Sequence, residues 1–237
     1  MKLITNNLNV QYKEHKVLID CSFEMDQGEV VGLIAPNGSG KTTLLKTLMG
    51  LQKAKSGNIS IINNKKNIIC REEYLKNLFF IESNESLYDN LTVEEHLKIV
   101  KRAWKSPITI NAAVNFFDIQ RFLKKKVKQL SLGMKQQLIL TMYLISDAPI
   151  WIIDEPLNGL DPTNAYLFNQ LIERAKRENR LVLMSSHNLI NISEICNRVL
   201  FLYEGSVVEK VYKDNESESS ALEEMYQKLF FKGRNYV

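Results

Sequence analysis

The segment Ala35-Pro-Asn-Gly-Ser-Gly-Lys-Thr42 carries the residue types that a triphosphate requires, in the order in which it requires them. Gly38 and Gly40 let the backbone curl until successive amides point inward at phosphate oxygens. Lys41 brings a positive charge toward the β- and γ-phosphates, and the hydroxyl of Thr42 can ligate Mg2+. A run of good helix formers from Lys41 to Met49 follows, and the positive end of its dipole faces the same point. One position departs from the phosphate-loop pattern: Ala35 stands where the motif has its first glycine. A methyl group there costs almost nothing if φ is negative and on the order of 1 kcal/mol if φ is positive. Read alone, the same residues also make a glycine turn ahead of an ordinary helix.

A second constellation lies more than a hundred residues on. Ile150-Trp-Ile-Ile-Asp-Glu-Pro156 is an apolar strand that ends in two carboxylates, and strand carboxyl ends are where open α/β sheets bind ligands. Asp154 is suited to hold magnesium, directly or through water, and Glu155 to polarise an attacking water. By itself Asp-Glu-Pro is also a polar strand exit. With a phosphate loop upstream, phosphoryl chemistry becomes the stronger reading.

These groups need strands that end beside one another. Leu3–Val10 and Val17–Met25 are short β-rich runs, and the apolar run from Glu29 to Ala35 reads as a central strand covered on both faces. Asn58–Ile62 and Asn77–Ile81 are further strand candidates. Thr92-Val-Glu-Glu95 is a capping-box signature opening a helix to about Lys105, and helical patterns continue through 108–146. Strands return at Ile150–Ile153, Leu181–Met184 and Val199–Leu202, with a helix over Pro162–Asn179 between the first two. Ser220 is expected to cap a last short helix. This order predicts an α/β fold: a P-loop NTPase core with a mostly parallel sheet, N-terminal antiparallel strands and an inserted helical subdomain. The expected division is a core over about 1–82 and 147–212, a helical insert over about 83–146 and a short helix over about 220–231.

Composition narrows the classes. At 237 residues, 45% hydrophobic and 24% charged, the chain is an ordinary globular sequence. Its 31 basic and 27 acidic residues leave a net charge of only +4, which gives no argument for a nucleic-acid partner. The 3 cysteines are far apart and form no CxxC, which disfavours a disulfide framework or zinc cluster and points to a reducing compartment. No segment offers the ~20 apolar residues of a membrane span, so a membrane role is expected to come through a partner. The lysines at 124, 125, 126 and 128 read as a solvated helix face.

Four further segments decide among P-loop enzymes: Tyr12 between the first two strands, Leu130-Ser-Leu-Gly-Met-Lys-Gln-Gln137 ahead of a long apolar helix, Asn158-Gly-Leu-Asp161, and Ser185-Ser-His187. In this order, with the phosphate loop and the carboxylate pair, the chain resembles the ATP-binding subunits of ABC transporters over essentially its whole length. The resemblance implies that Tyr12 stacks on adenine and that Asn37, Gly38, Ser39, Gly40, Lys41, Thr42 and Thr43 wrap the triphosphate. Thr42 and Asp154 would serve Mg2+, Glu155 would be the catalytic base, and His187 would contact the γ-phosphate. Ser131, Gly133 and Asp161 would act on ATP held by an opposing subunit. Each also has an ordinary alternative, such as a helix cap for Ser131 or a core aromatic for Tyr12.

The sequence departs from the family twice. Leu132 and Met134 replace the second glycine and the glutamine of LSGGQ, while Ser131 and Gly133 are kept. Glu82 stands where the family has the Q-loop glutamine, and a carboxylate can also ligate Mg2+. A glutamate there and an LSLGM-type signature resemble bacterial subunits serving exporters of peptides, antibiotics or other amphiphiles, lantibiotic-immunity systems included. The resemblance implies transmembrane permease partners, a second ATPase subunit (a homodimer or a closely related chain), and a place on the cytoplasmic side of the membrane, with contacts to the permease near Glu82–Tyr88. A small-molecule kinase would leave the signature and Ser-Ser-His without a role. A GTPase would need an NKxD motif that Asn64-Lys-Lys-Asn67 does not supply. A nucleic-acid machine of ABC type would carry coiled coils, zinc modules or a second ATPase domain.

Overall fold

The computed structural model describes residues 1–82, 84–156, 161–187, 189–196, 198–211 and 218–231. Its elements, in chain order, are β1 (Lys2–Tyr12), β2 (His15–Asp26), β3 (Val30–Ile34), α1 (Lys41–Leu48), β4 (Ser56–Asn63), β5 (Lys66–Asn67), α2 (Arg71–Lys76), β6 (Leu78–Ile81), α3 (Val93–Trp104), α4 (Ile110–Phe117), α5 (Leu132–Ser146), β7 (Ile150–Ile153), α6 (Pro162–Arg177), β8 (Leu181–Ser186), α7 (Leu189–Ile195), β9 (Arg198–Tyr203), β10 (Ser206–Val211) and α8 (Glu218–Phe230).

Two sheets form. One is antiparallel, in the order β2-β1-β4-β5, and the other runs β10-β9-β3-β8-β7-β6. Within the second, β9, β3, β8, β7 and β6 are parallel and only β10 is antiparallel, as an edge strand. Alternation along β3 explains why this sheet is covered on both faces. Val30 and Ile34 pack into a core shared with α5, α6 and α7, while Val31 and Leu33 pack into a second core with α1 and the antiparallel sheet. Trp151 and Ile153 of β7 face the first core, and Ile150 and Ile152 the second.

The register brings the chemistry-bearing strand ends together. Leu33 lies beside Ser185 on the β3–β8 pair, and Ile153 beside Met184 on β7–β8. The phosphate loop, the carboxylate pair and the serine pair therefore leave the sheet at the same edge, where β3, β7 and β8 end. The helix α3 opens on the expected capping box, Thr92 accepting from the Glu95 amide and Glu95 from the Thr92 amide.

Several features differ from expectation, among them β5 and α7, which the sequence pattern does not predict, and the lysines at 124–126, which lie between α4 and α5 outside any helix and not on a helix face. β10 follows the turn at Glu204-Gly205 and closes the sheet edge. Six-residue α2 only partly buries Tyr74 against the second core and fully buries no residue, so it carries no apolar stripe that sequence periodicity could detect. Helix α8 starts at Glu218, which puts Ser220 inside the helix rather than at its cap.

Candidate functional site

Gly40 caps α1 with φ 105°, and a Cβ there would come within 2.7 Å of Val17 Cγ1. The left-handed backbone and the close approach each require glycine. Gly38 is also left-handed, at φ 81°. Ala35 does not have a positive φ and is fully buried in the second core, so its methyl group replaces the motif glycine without backbone strain. Ser39 holds the loop's curve, its hydroxyl donating to the Pro36 carbonyl at 2.7 Å.

The loop borders a cleft of 340 Å3 lined by Asn37, Gly38, Gly40, Lys41, Thr42, Thr43, Asp154 and Glu155, together with His15 and Val17. Lys41 is buried, and its ammonium group donates to the carbonyls of Ala35 at 2.7 Å and Pro36 at 3.3 Å. The same group stands 3.6 Å from Oε1 of Glu155. Thr42 Oγ1 donates to Asp154 Oδ2 at 2.9 Å, across 112 residues of sequence.

Ser185 is the hinge of the carboxylate pair. Its hydroxyl donates to Asp154 Oδ1 and accepts from the Glu155 amide at 2.9 Å. Glu155 has φ 46°, a left-handed backbone that costs a non-glycine residue about 1–2 kcal/mol. The Ser185 bond holds it there. On the other side, His187 Nδ1 lies 2.9 Å from Glu155 Oε2, and because a carboxylate only accepts, the proton of that bond sits on Nδ1. Glu155 is thus fixed by backbone, lysine and imidazole at once.

Asp154 and Glu155 also line a second cleft of 210 Å3, together with Glu82, Gln136, Tyr143 and Pro156. Glu82 sits in this neighbouring cleft, not in the phosphate-loop cleft, and Lys46 Nζ holds its carboxylate at 2.5 Å. Tyr143 is buried on α5 between the strand ends. Its hydroxyl donates to the Ile152 carbonyl at 2.6 Å and accepts from the Ile81 amide at 3.3 Å, and burial raises its pKa.

The donors converging near Thr42 are hydroxyl and carboxylate oxygens. Among the described residues no group of three or more His, Cys, Asp or Glu is arranged to hold a metal. A metal here would therefore draw on the Thr42 hydroxyl, one or two carboxylates, substrate phosphate and water. That donor set suits Mg2+, which keeps several waters and seldom takes an all-protein cage.

Other expected residues lie outside both clefts. Tyr12 ends β1 with its side chain 47% exposed, ruling out a core role, and its hydroxyl donates to Gln52 Oε1 at 3.0 Å. Ser131 caps α5, accepting from the Met134 amide at 3.3 Å, and Leu132 beside it is 59% exposed. Asp161 caps α6 through the Asn164 amide at 2.9 Å. A Cβ on Gly133 would come 3.1 Å from Asn164 Nδ2 and 3.5 Å from Asp161 Oδ2, so the signature glycine and Asp161 share one patch. Of the segment 158–161 only Asp161 lies within the described residues.

Sequence reasoning missed Ser185, His15, Val17, Gln136 and Tyr143 as site residues. Ser185 had a signal: it and Ser186 form a polar pair, both buried, at the end of an apolar strand. Gln136 belongs to the signature segment, whereas tertiary approach alone brings His15, Val17 and Tyr143 to the site.

Comparison with known proteins agrees with this geometry. Residues 18–158 match the family model described as ABC transporter. The chain is 35% identical over 232 residues to the lantibiotic transport ATP-binding protein SrtF of Streptococcus pyogenes, covering 96% of this chain and 98% of that one. It is 33% identical over 218 residues to the bacitracin transport ATP-binding protein BcrA of Bacillus licheniformis, covering 89% and 70% respectively. A solved structure of an ATP-binding subunit of an ABC transporter superposes with a TM-score of 0.84 at 29% identity, covering 97% of this chain and 99% of the other.

Proposed function

The chain belongs to the ABC transporter family as an ATP-binding and ATP-hydrolysing subunit, and from that premise we propose that it powers a membrane exporter of peptide antibiotics or similar amphiphiles. The observation that carries the site assignment is the convergence of Lys41, Thr42, Asp154 and Glu155 on one cleft at the shared ends of β3, β7 and β8, with His187 bonded to Glu155.

In this reading the loop amides, Lys41 and Thr43 hold the triphosphate, and Tyr12 stacks on adenine. A Mg2+ held by Thr42 and Asp154, with Glu82 as a further oxygen donor, would neutralise phosphate charge. Glu155 takes the proton of the attacking water, a task for which Ser185 holds its backbone amide and the Nδ1–H of His187 orients its carboxylate. His187 is half exposed, so its ring can also reach toward the γ-phosphate. Ser131 and Gly133 complete the site of a second subunit placed head to tail, with Asp161 at the same interface.

Among the described residues no helix is long and apolar enough to cross a membrane. The partners supported by the family are transmembrane permease subunits and a second ATPase chain. The subunit then lies at the cytoplasmic face of the membrane through its permease, with the helical insert over about 83–146 and the residues near Glu82–Tyr88 as the docking region. The names of SrtF and BcrA support an antimicrobial-peptide cargo.

The test is Glu155→Gln. It blocks proton acceptance while leaving the phosphate contacts, and is expected to accumulate an ATP-bound dimer in light scattering. Hydrolysis persisting at the parent rate would remove Glu155 from its assigned role.

A further inference from the structure

Lys46 lies one helical turn beyond Thr42 on α1, so the two side chains share a face. Thr42 reaches Asp154, and Lys46 reaches Glu82 with Nζ–Oε1 at 2.5 Å. The same short helix therefore touches two of the three oxygen donors assigned to the metal and supplies the third itself. Glu82 is the first residue beyond β6, beside the cleft that also contains Asp154 and Glu155.

We propose that Lys46 is a positioning residue for Glu82: its ammonium group competes with a divalent cation for the Glu82 carboxylate, which joins the metal only on leaving Lys46. The inference rests on the reading of Thr42, Asp154 and Glu82 as the metal-facing oxygens.

Two observations support the exchange. The pair is about a third exposed on the lysine side and two-fifths on the glutamate side, so it is not a fixed core contact. Exposed ion pairs are weak enough to be broken by a modest competitor. Finally, a glutamine at position 82 could offer Lys46 only a neutral amide oxygen. The glutamate departure and Lys46 together create the competition.

The experiment measures Mn2+ affinity by electron paramagnetic resonance in the presence of ATP, using the full chain and Lys46→Met, Lys46→Arg, Glu82→Gln and the Lys46→Met/Glu82→Gln double variant. The expected result is that Glu82→Gln weakens Mn2+ binding and Lys46→Met tightens it by about 1.5- to 5-fold, the range an exposed pair can supply. Lys46→Arg retains the parent affinity, and the double variant binds Mn2+ as Glu82→Gln does. If Lys46→Met tightens binding equally with and without Glu82, its charge acts through space and the proposal is overturned. If Glu82→Gln weakens binding and Lys46→Met changes nothing, the proposal alone fails. If Glu82→Gln leaves Mn2+ affinity unchanged, the metal role of Glu82 fails and the competition falls with it.

Discussion

The ammonium group of Lys41 satisfies two of its donors on carbonyls of its own loop and faces Glu155 with the remainder. Its position is fixed by backbone, so its charge is delivered to one point rather than swept through solvent. Lys41→Ala is expected to weaken ATP binding on the order of tenfold or more by titration calorimetry, since the loop has no other charged side chain to replace it. Tyr12 is the opposite case, an exposed residue whose hydroxyl is tethered to Gln52. Stacking on a base contributes about 1–3 kcal/mol by alanine substitution, so Tyr12→Ala should weaken ATP by that amount and leave tripolyphosphate binding unchanged. Equal losses for both ligands would place Tyr12 in the loop's support instead of at the base. Spacing made the loop, the carboxylates and His187 legible in the sequence, because contiguous chemistry needs contiguous residues. The role of Ser185 was not legible in that way: a serine ending a strand gains its meaning from the register that sets it beside Asp154 and Glu155.

At the scale of elements, α5 links the clefts to the signature. It starts at the Ser131 cap, passes Tyr143 between the ends of β6 and β7, and ends at Asp147 with φ 54°. Tyr143→Phe removes a buried hydroxyl that holds Ile81 and Ile152 together and is expected to cost about 1–3 kcal/mol in urea unfolding. Arg180 closes the far end. It is buried, bonds Asp147 at 2.5 Å and Glu178 at 2.6 Å, donates to the Ala148 carbonyl at 2.8 Å, and lies 5.1 Å from the Trp151 ring centroid. Burial pushes the Glu178 carboxyl up, but the bonds from Arg180 and Arg174 outweigh it and hold the pKa below the usual value. A carboxyl with a depressed folded pKa stabilises the fold above its unfolded pKa, near 4.5, and loses that contribution as pH falls through the folded value. Thermal stability should therefore decline below about pH 4.5, and Glu178→Gln should flatten that part of the profile. The strands and helices around this network were legible from apolar runs and caps. α2 and β10 were not, because a six-residue helix that fully buries no side chain and an edge strand after a glycine turn leave no periodic signal.

Across the whole molecule the three cysteines differ sharply in access. Cys21 and Cys196 are buried, and loss of hydration pushes each thiol up to about 12, whereas Cys70 is exposed at the start of α2. A disulfide reagent at pH 8 should consume one thiol quickly, and the other two only on unfolding. In the proposed ATP-dependent dimer a cleft open on one subunit is closed by another, and the proposed closing surface is the patch where Ser131, exposed Leu132, Gly133 and Asp161 meet. Ser131 would then serve two functions that a single substitution can separate. Its side-chain oxygen caps α5, so a change to arginine would remove the cap as well as obstruct the interface. Aspartate caps a helix as well as serine does, and its charge is favourable at a helix N-terminus. It would repel a triphosphate brought up by the opposing chain. Ser131→Asp in the Glu155→Gln background should therefore keep the parent unfolding midpoint and monomer ATP affinity, yet show no ATP-dependent dimer in light scattering. Dimerisation equal to that of Glu155→Gln alone would remove the signature segment from the composite site. A lowered unfolding midpoint would instead show that the cap had been lost and that dimer formation had been tested on a damaged helix, which Ser131→Asn, with the cap kept and no added charge, then distinguishes: it should restore the dimer only if charge against phosphate was the cause.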